Sequence, residues 1–221
     1  TAVTAFDLHA PHTELEVTAS SVVETDKAHV PEVKASWDEL GSEAAVDRFY
    51  ELLTPTDYTP ASKRIERVGR RIAKYNEPQQ AVIEAARWAQ AELKYVAGTT
   101  GVHSSGLDAL REGKGVCQDF AHLTLILLRG MGIPARYVSG YLHPTRNAKL
   151  GDVVDGQSHA WIQAWTGEWW NYDPTNDTEI NEQYISVGVG RDYADVTPLK
   201  GIYSGAGSTD LDVVVEITRL A

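Results

Sequence analysis

Residues 113–141, GKGVCQDFAHLTLILLRGMGIPARYVSGY, hold the chain's one cysteine at the start of an apolar run, and the fold is predicted outward from here. Apolar side chains recur through this run at helical spacing: Phe120, Leu123, Leu127 and Leu128. Gly130 ends that pattern, and Pro134 prevents its continuation. The residues from Tyr137 onward are typical of a strand. We therefore predict a buried helix, with Cys117 in its first turn, that leads into a strand.

This placement gives Cys117 a chemical prediction. The start of a helix presents unpaired backbone N–H groups and the positive end of the macrodipole, and both favour a thiolate over a thiol. The N–H of Cys117 is also positioned to donate to an oxyanion that forms beside the sulfur. Asp119, an acid in the same turn, suits the dipole. The alternative is that Cys117 is a small buried hydrophobe without chemistry.

Length and composition limit the classes of protein that fit. The 221 residues predict one large domain, or one domain with a small appendage. A single cysteine excludes an internal disulfide and favours a reducing compartment, so we predict a cytoplasmic protein. The net charge of −11 argues against nucleic acid or an anionic membrane as a partner. No apolar run is long enough to span a bilayer, and no basic, apolar leader follows Thr1.

The chain divides near a turn-rich segment, residues 54–60. Before it, Leu15 to Val23 alternates between apolar and polar residues and predicts a half-buried strand. After it, apolar stripes at helical spacing in residues 65–93 predict core helices. We expect an N-terminal β-rich region at residues 1–55 and a main domain at residues 56–221. Helices followed by consecutive antiparallel strands predict an α+β fold.

A second informative stretch, SHAWIQAWTGEWWNYDPTND, begins at Ser158 and predicts a β-hairpin. Two aromatic-rich strands flank Thr166-Gly167, which we take as a two-residue loop. In this register His159 faces position 174, one residue beyond Asp173. We therefore expect both polar side chains at the open end of one hairpin, within contact distance.

Cys117, His159 and Asp173 together predict nucleophilic catalysis. A thiolate needs a base that shares its proton and later protonates the leaving group, and His159 is suited to this role if its strand lies against the nucleophile helix. Asp173 then orients the imidazole and stabilises its protonated form. The predicted chemistry is acyl transfer on an amide through a tetrahedral oxyanion and a thioester. Each residue alone also has a structural interpretation, but the hairpin favours the joint one.

These motifs also carry a family resemblance. The run GVCQDFAHLTLILLRGMGIPARYVSGY, with SHAWIQAW and YDPTND after it, resembles the transglutaminase-like superfamily of papain-like folds. The likeness is to the bacterial branch of transglutaminase-like, predicted cysteine proteases, and GRDYADVTPLKGIYSG from Gly190 resembles that branch too. The resemblance spans about residues 60–221. It implies a papain-like core, with a helical half packed on an antiparallel sheet.

The resemblance also assigns roles and boundaries. It makes residues 56–221 a transglutaminase-like catalytic domain and implies the triad Cys117, His159 and Asp173. It relates residues 1 to about 50 to the branch's N-terminal β region, in shortened form. It further implies a second oxyanion donor upstream of the nucleophile, for which Tyr95 is the candidate, with a core tyrosine as the alternative.

Other polar residues attract weaker predictions. His122 is expected to be structural, and His103 to lie in an exposed loop. Four late residues either line a cleft or stabilise a loop: Arg191, Asp192, Tyr193 and Asp195. The seven histidines are scattered without His-Glu-x-x-His or Cys-x-x-Cys spacing, so we predict neither a metal nor another cofactor.

The leading functional prediction is a cysteine hydrolase that acts on a peptide, a protein or another amide substrate. A transamidating enzyme with an amine acceptor would use the same triad. A non-catalytic binding module on the same fold is the alternative from a different class. The sequence leaves the oligomeric state open.

Overall fold

The structure, a computed structural model, describes residues 3–27, 31–98, 101, 103–145, 148–202, 204 and 212–220. Its helices are α1 Trp37–Leu40, α2 Glu43–Arg48, α3 Tyr50–Leu53, α4 Lys63–Tyr75, α5 Pro78–Glu92, α6 Gly106–Glu112 and α7 Cys117–Gly130. Its strands are β1 Lys94–Tyr95, β2 Lys114–Gly115, β3 Ala135–Leu142, β4 Val153–Asp155, β5 Gln157–Trp165, β6 Trp169–Asp173, β7 Thr178–Glu179, β8 Tyr184–Gly190 and β9 Glu216–Thr218. A short 3₁₀ turn, Tyr193–Asp195, follows β8.

One antiparallel sheet carries most of the strands, in the order β7-β6-β5-β3-β8. Two further pairs lie outside it: β1 with β2, which are parallel, and β4 with β9, which are antiparallel. The helices precede the main sheet in the chain and pack against it through α7. This arrangement confirms the α+β prediction.

Helix α7 is the centre of the core. It begins at Cys117 and is followed by β3, as the apolar pattern of residues 113–141 predicts. Its side chains from Phe120 to Leu128 are buried against α4, α5, α6 and the sheet. Each fully buried leucine or phenylalanine contributes about 1.5–3 kcal/mol of transfer free energy, so the packing holds the helix, and with it Cys117, in place.

The N-terminal prediction is wrong in its central feature. Residues 3–27 form neither helix nor strand, and Leu15 and Val17 are 46% and 54% exposed. Alternation shows that a segment is compatible with a sheet, but a strand without a partner leaves its backbone groups unpaired. Residues 31–53 instead pack on the core: Ala35 N–H donates to Thr166 O at 2.6 Å, and the Phe49 ring contacts Trp165. The division at residues 55–56 stays a prediction.

None of the helices formed by the described residues is long and apolar enough to cross a membrane.

Candidate active site

The turn before α7 fixes the position of Cys117, which is free and partly exposed. Asp119, in the first turn of α7, accepts a hydrogen bond from the Val116 N–H at 2.8 Å. Gly115 is needed here because a Cβ at this position would lie 2.7 Å from the Asp119 carboxylate. Gly115 O also accepts from the Val96 N–H at 2.9 Å, which ties the turn to β1. The nucleophile candidate therefore sits on a turn that is braced from both sides.

The β5–β6 hairpin differs from its prediction by one residue. Its loop has three residues, 166–168, closed by Thr166 N–H donating to Glu168 O at 3.2 Å. The two-residue loop is therefore wrong, because only the observed register buries Trp170 and Tyr172 on the same face as Ile162.

This register explains how the imidazole meets the carboxylate. It pairs Ile162 with Tyr172, so that Asp173 follows opposite Trp161. His159 is two residues from Trp161 and shares its face, which makes His159 and Asp173 diagonal neighbours. In the predicted register the two side chains would have pointed to opposite faces of the sheet.

His159 and Asp173 are in direct contact. The imidazole Nε2 lies 2.7 Å from Asp173 Oδ2, and Asp173 is 0% exposed. The same oxygen accepts from Asn176 Nδ2 at 2.7 Å and from Tyr184 Oη at 2.8 Å. The other oxygen accepts from the backbone N–H groups of Thr175 and Asn176, at 2.8 and 3.2 Å.

These donors explain the ionisation of Asp173. Burial alone raises the pKa of the carboxyl, but the hydrogen bond and charge of His159, with the bonds from Asn176 and Tyr184, lower it by more. The net pKa is below its usual value, so Asp173 is an anion at neutral pH.

The imidazole also interacts with the sulfur. Burial lowers the pKa of His159, but hydrogen bonds with Asp173 and Cys117, together with their charges, raise it by more, to about 9. Since Nε2 is bonded to Asp173, Nδ1 is the nitrogen left for Cys117. The three residues predicted from three segments are thus brought together. The Trp161 ring stacks near His159, with centroids 6.2 Å apart.

Two supporting residues were missed in the sequence. Tyr184 comes from β8, and no spacing signal links it to Asp173. Asn176 lies three residues after Asp173, in the YDPTND motif, where an Asx-type turn is a usable signal. Both hold the carboxylate rather than contact the sulfur.

Tyr95 lies beside the nucleophile turn. It pairs with Gly115 across β1 and β2 and is 58% exposed, so the alternative of a core tyrosine is wrong. Burial, followed by the charge of Cys117, raises the pKa of its hydroxyl. Tyr137 is a second, buried hydroxyl whose pKa is raised by burial and then by Cys117. The role of Tyr95 as an oxyanion donor stays a prediction, as does that of the Cys117 N–H.

His122 and His103 lie away from the proposed proton transfer. His122 is fully buried; burial, followed by the charge of Arg129, lowers its pKa to about 3. Its Nε2 accepts from the Tyr193 N–H at 3.3 Å, and its ring lies 5.0 Å from that of Tyr137. His103 is exposed, with its Nδ1 3.4 Å from the Tyr58 hydroxyl. A structural role fits His122.

The late loop is stabilised by its own charges. Arg191 bonds Asp195 through two nitrogens, at 2.9 and 3.0 Å, and Asp192 accepts from the Ala194 N–H at 2.8 Å. Tyr193 alone of the four predicted residues reaches inward to Tyr137, with ring centroids 6.4 Å apart. Within the described ranges, no cluster of His, Cys, Asp or Glu is suited to a metal ion.

Comparison with known proteins agrees with this geometry. Residues 66–174, which include Cys117, His159 and Asp173, match the sequence model described as the Transglutaminase-like superfamily. The uncharacterized protein ML0607 of Mycobacterium leprae is 71% identical over 221 residues, which are all of this chain and 79% of that protein. The uncharacterized protein Rv2569c of Mycobacterium tuberculosis is 41% identical over 137 residues, 57% of this chain and 43% of that protein.

A solved structure extends the likeness to the fold. The crystal structure of a proposed cysteine protease from Cytophaga hutchinsonii matches with a TM-score of 0.64 at 27% identity. The match covers 83% of this chain and 62% of that one, so the chain spans less than two thirds of this neighbour. The matched motifs, the papain-like arrangement of helices and sheet, and the close mycobacterial relative lead to one conclusion: the chain belongs to the transglutaminase-like superfamily.

Proposed function

We propose that the protein catalyses thiol-dependent acyl transfer on amide bonds, as a cysteine peptidase or amidase with the triad Cys117, His159 and Asp173. One observation carries this proposal: a partly exposed sulfur at a helix start interacts with an imidazole that a buried carboxylate holds. Its substrate is a peptide, a protein or another amide. Its compartment is the cytoplasm, where a free thiol stays reduced.

The geometry suits both halves of the reaction. The Cys117 thiolate attacks the amide carbonyl carbon, and the oxyanion is stabilised by the Cys117 N–H and by the Tyr95 hydroxyl. The carbon–nitrogen bond breaks as imidazolium His159 gives its proton to the departing amine, which leaves a thioester. His159 then removes a proton from water, which attacks the thioester, releases the carboxylic acid and restores the Cys117 thiolate beside imidazolium His159. Asp173 orients the ring throughout.

Transamidation is a second candidate, favoured by the description of the matched family as transglutaminase-like. The first half of the reaction is unchanged. In the second half an amine, such as a lysine side chain or a polyamine, replaces water and forms a new amide. The two reactions differ only in the acceptor, so the products separate them.

The proposal is tested by incubating the protein with a library of amides and measuring covalent adducts by mass spectrometry. We expect a thioester on Cys117, released as acid in water and as a new amide when an amine is added. Cys117→Ala and His159→Gln should abolish turnover, while His103→Gln, an exposed histidine outside the site, should not. If the Cys117→Ala variant keeps the biological activity of the protein, the protein is instead a binding module.

A further inference from the structure

The exposed face of α4 is densely basic. Six of its thirteen residues are basic and exposed: Lys63, Arg64, Arg67, Arg70, Arg71 and Lys74. With Glu66 as its one acid, α4 has a charge of +5, so the rest of the −11 chain carries −16. Among the described residues, Arg64 alone of the six has an ion-pair partner, Glu92 at 3.5 Å.

This arrangement opposes the stability of α4 itself. Like charges three or four residues apart repel each other, as between Arg67 and Arg71 or between Arg70 and Lys74. Lys63 and Arg64 also stand in the first turn, where the helix dipole disfavours cations. Helix α5 shows the ordinary arrangement, in which Glu84 pairs with Arg87 at 3.2 Å. A solvated face would be more stable with mixed charges, so the cations of α4 point to a partner.

The surface is separate from the Cys117 site. On the inner side of α4, Gly69 packs against Leu127 and Met131, near the end of α7 opposite Cys117. At 1.5 Å per residue, that contact is about 15–20 Å from Cys117 along the helix axis. Variants on the outer side of α4 therefore leave the proposed catalytic residues untouched.

A groove of about 480 Å³ adjoins the basic face, between α4 and α5. Arg71 and Tyr75 line one wall, and Arg87 and Trp88 line the other. The Tyr75 side chain is 73% exposed and lies under the Lys74 ammonium, 5.3 Å from ring centroid to nitrogen. The groove thus offers an aromatic contact beside a row of cations.

We propose that the exposed face of α4 and this groove bind an acidic segment of a partner protein, with an aromatic or apolar side chain in the groove. Thirteen helical residues span about 20 Å, which matches a short segment. A nucleic acid or an anionic bilayer would extend beyond the patch and face the −16 of the remaining chain, which repels it. A short acidic segment meets the six cations and only two carboxylates, Glu66 on α4 and Glu84 in the groove.

The test measures binding of a fluorescein-labelled peptide, in which glutamates flank two tryptophans, by fluorescence anisotropy at low salt. We expect binding that weakens at least about tenfold in the variant Arg67→Gln, Arg70→Gln, Arg71→Gln, Lys74→Gln, and that weakens with added salt. The same variant should melt about 2 °C higher, because the repulsion is relieved. A peptide with glutamine in place of glutamate should not bind.

The matched control removes the same total charge elsewhere: Lys27→Gln, Lys34→Gln, Lys149→Gln and Lys200→Gln, all at exposed positions. It should bind within about twofold of the unaltered chain. Equal loss in both variants, or no binding by the unaltered chain, would overturn the proposal. So would tighter binding of phosphatidylserine vesicles or duplex DNA than of the peptide. Salt-sensitive self-association through α4, measured by sedimentation, would also overturn the proposal, because the occupant of the surface would then be a second copy of this chain.

Discussion

Replacing Asp173 with asparagine tests how the buried carboxylate controls His159. The amide keeps the shape of the side chain but removes its charge and turns one acceptor into a donor. When the amide oxygen of the new side chain points toward His159, its NH₂ group faces the backbone N–H groups of Thr175 and Asn176. In the unaltered protein these two groups donate to Asp173 Oδ1. Such opposed donors cost about 1–3 kcal/mol, so the variant should melt lower but still fold.

The effect on the imidazole follows from its pKa. The rise from 6.5 to about 9 corresponds to about 3 kcal/mol in favour of the imidazolium. Burial opposes this rise, so Asp173 and Cys117 together supply more than that. Without the carboxylate charge we expect the pKa of His159 to fall by at least about one unit, with turnover reduced about 10²–10⁴-fold.

The assay is an NMR titration of the histidine ring protons, with the His159 signal assigned from its absence in His159→Gln. Turnover of an amide substrate is measured on the same samples. Asp155→Asn, an exposed carboxylate on β4, is the matched control and should change neither quantity. A His159 pKa that stays near 9 in Asp173→Asn, with turnover within about twofold of the unaltered protein, would show that the carboxylate does not control the imidazole.

Four further predictions concern this pair and its surroundings. Because the leaving amine takes its proton from His159, steady-state turnover should fall as pH rises through about 9. The raised pKa of His159 also stabilises the folded state: this contribution is complete below pH 6.5 and is lost as pH rises through about 9. A pH titration of the unfolding midpoint should show this loss in the unaltered protein but not in His159→Gln. Tyr184→Phe removes one donor to Asp173 and should lower turnover about tenfold with the fold retained by circular dichroism, whereas unchanged turnover would exclude a positioning role for the hydroxyl. Gly140→Ala places a Cβ in steric overlap with the Trp161 ring and the Ile185 carbonyl oxygen, so calorimetry should show destabilisation of about 1–3 kcal/mol. An unaffected melting temperature would contradict the close packing of Gly140 against these two groups.

The helix α7 and its cysteine could be predicted because their signals are local. The apolar spacing from Phe120 to Leu128 needs a helix, and the glycines and proline after it need an end. The order of helices and strands then predicts the α+β class. The strand predicted at Leu15–Val23 failed for the opposite reason: alternation is local, but a strand exists only with a partner that local pattern does not supply.

The candidate site shows the same division. The proximity of His159 and Asp173 could be predicted from one hairpin, although the loop was one residue too short, because Gly167 and the aromatic runs do not reveal which tryptophan the core buries. Tyr184 could not be predicted, since its contact with Asp173 depends on β8 folding back beside β3. Contacts within a hairpin are encoded in adjacent residues, whereas contacts between strands distant in sequence depend on the whole sheet.

The most direct measurement of the proposed catalysis is acylation of the sulfur by p-nitrophenyl acetate, followed by peptide mass spectrometry. The mechanism predicts a rapid acetyl thioester on Cys117 that hydrolyses with turnover in the unaltered protein, none at that position in Cys117→Ala, and much slower acetylation in His159→Gln. Acetylation of Cys117 at the same rate with and without the imidazole, or no acetylation there at all, would contradict a nucleophile activated by His159.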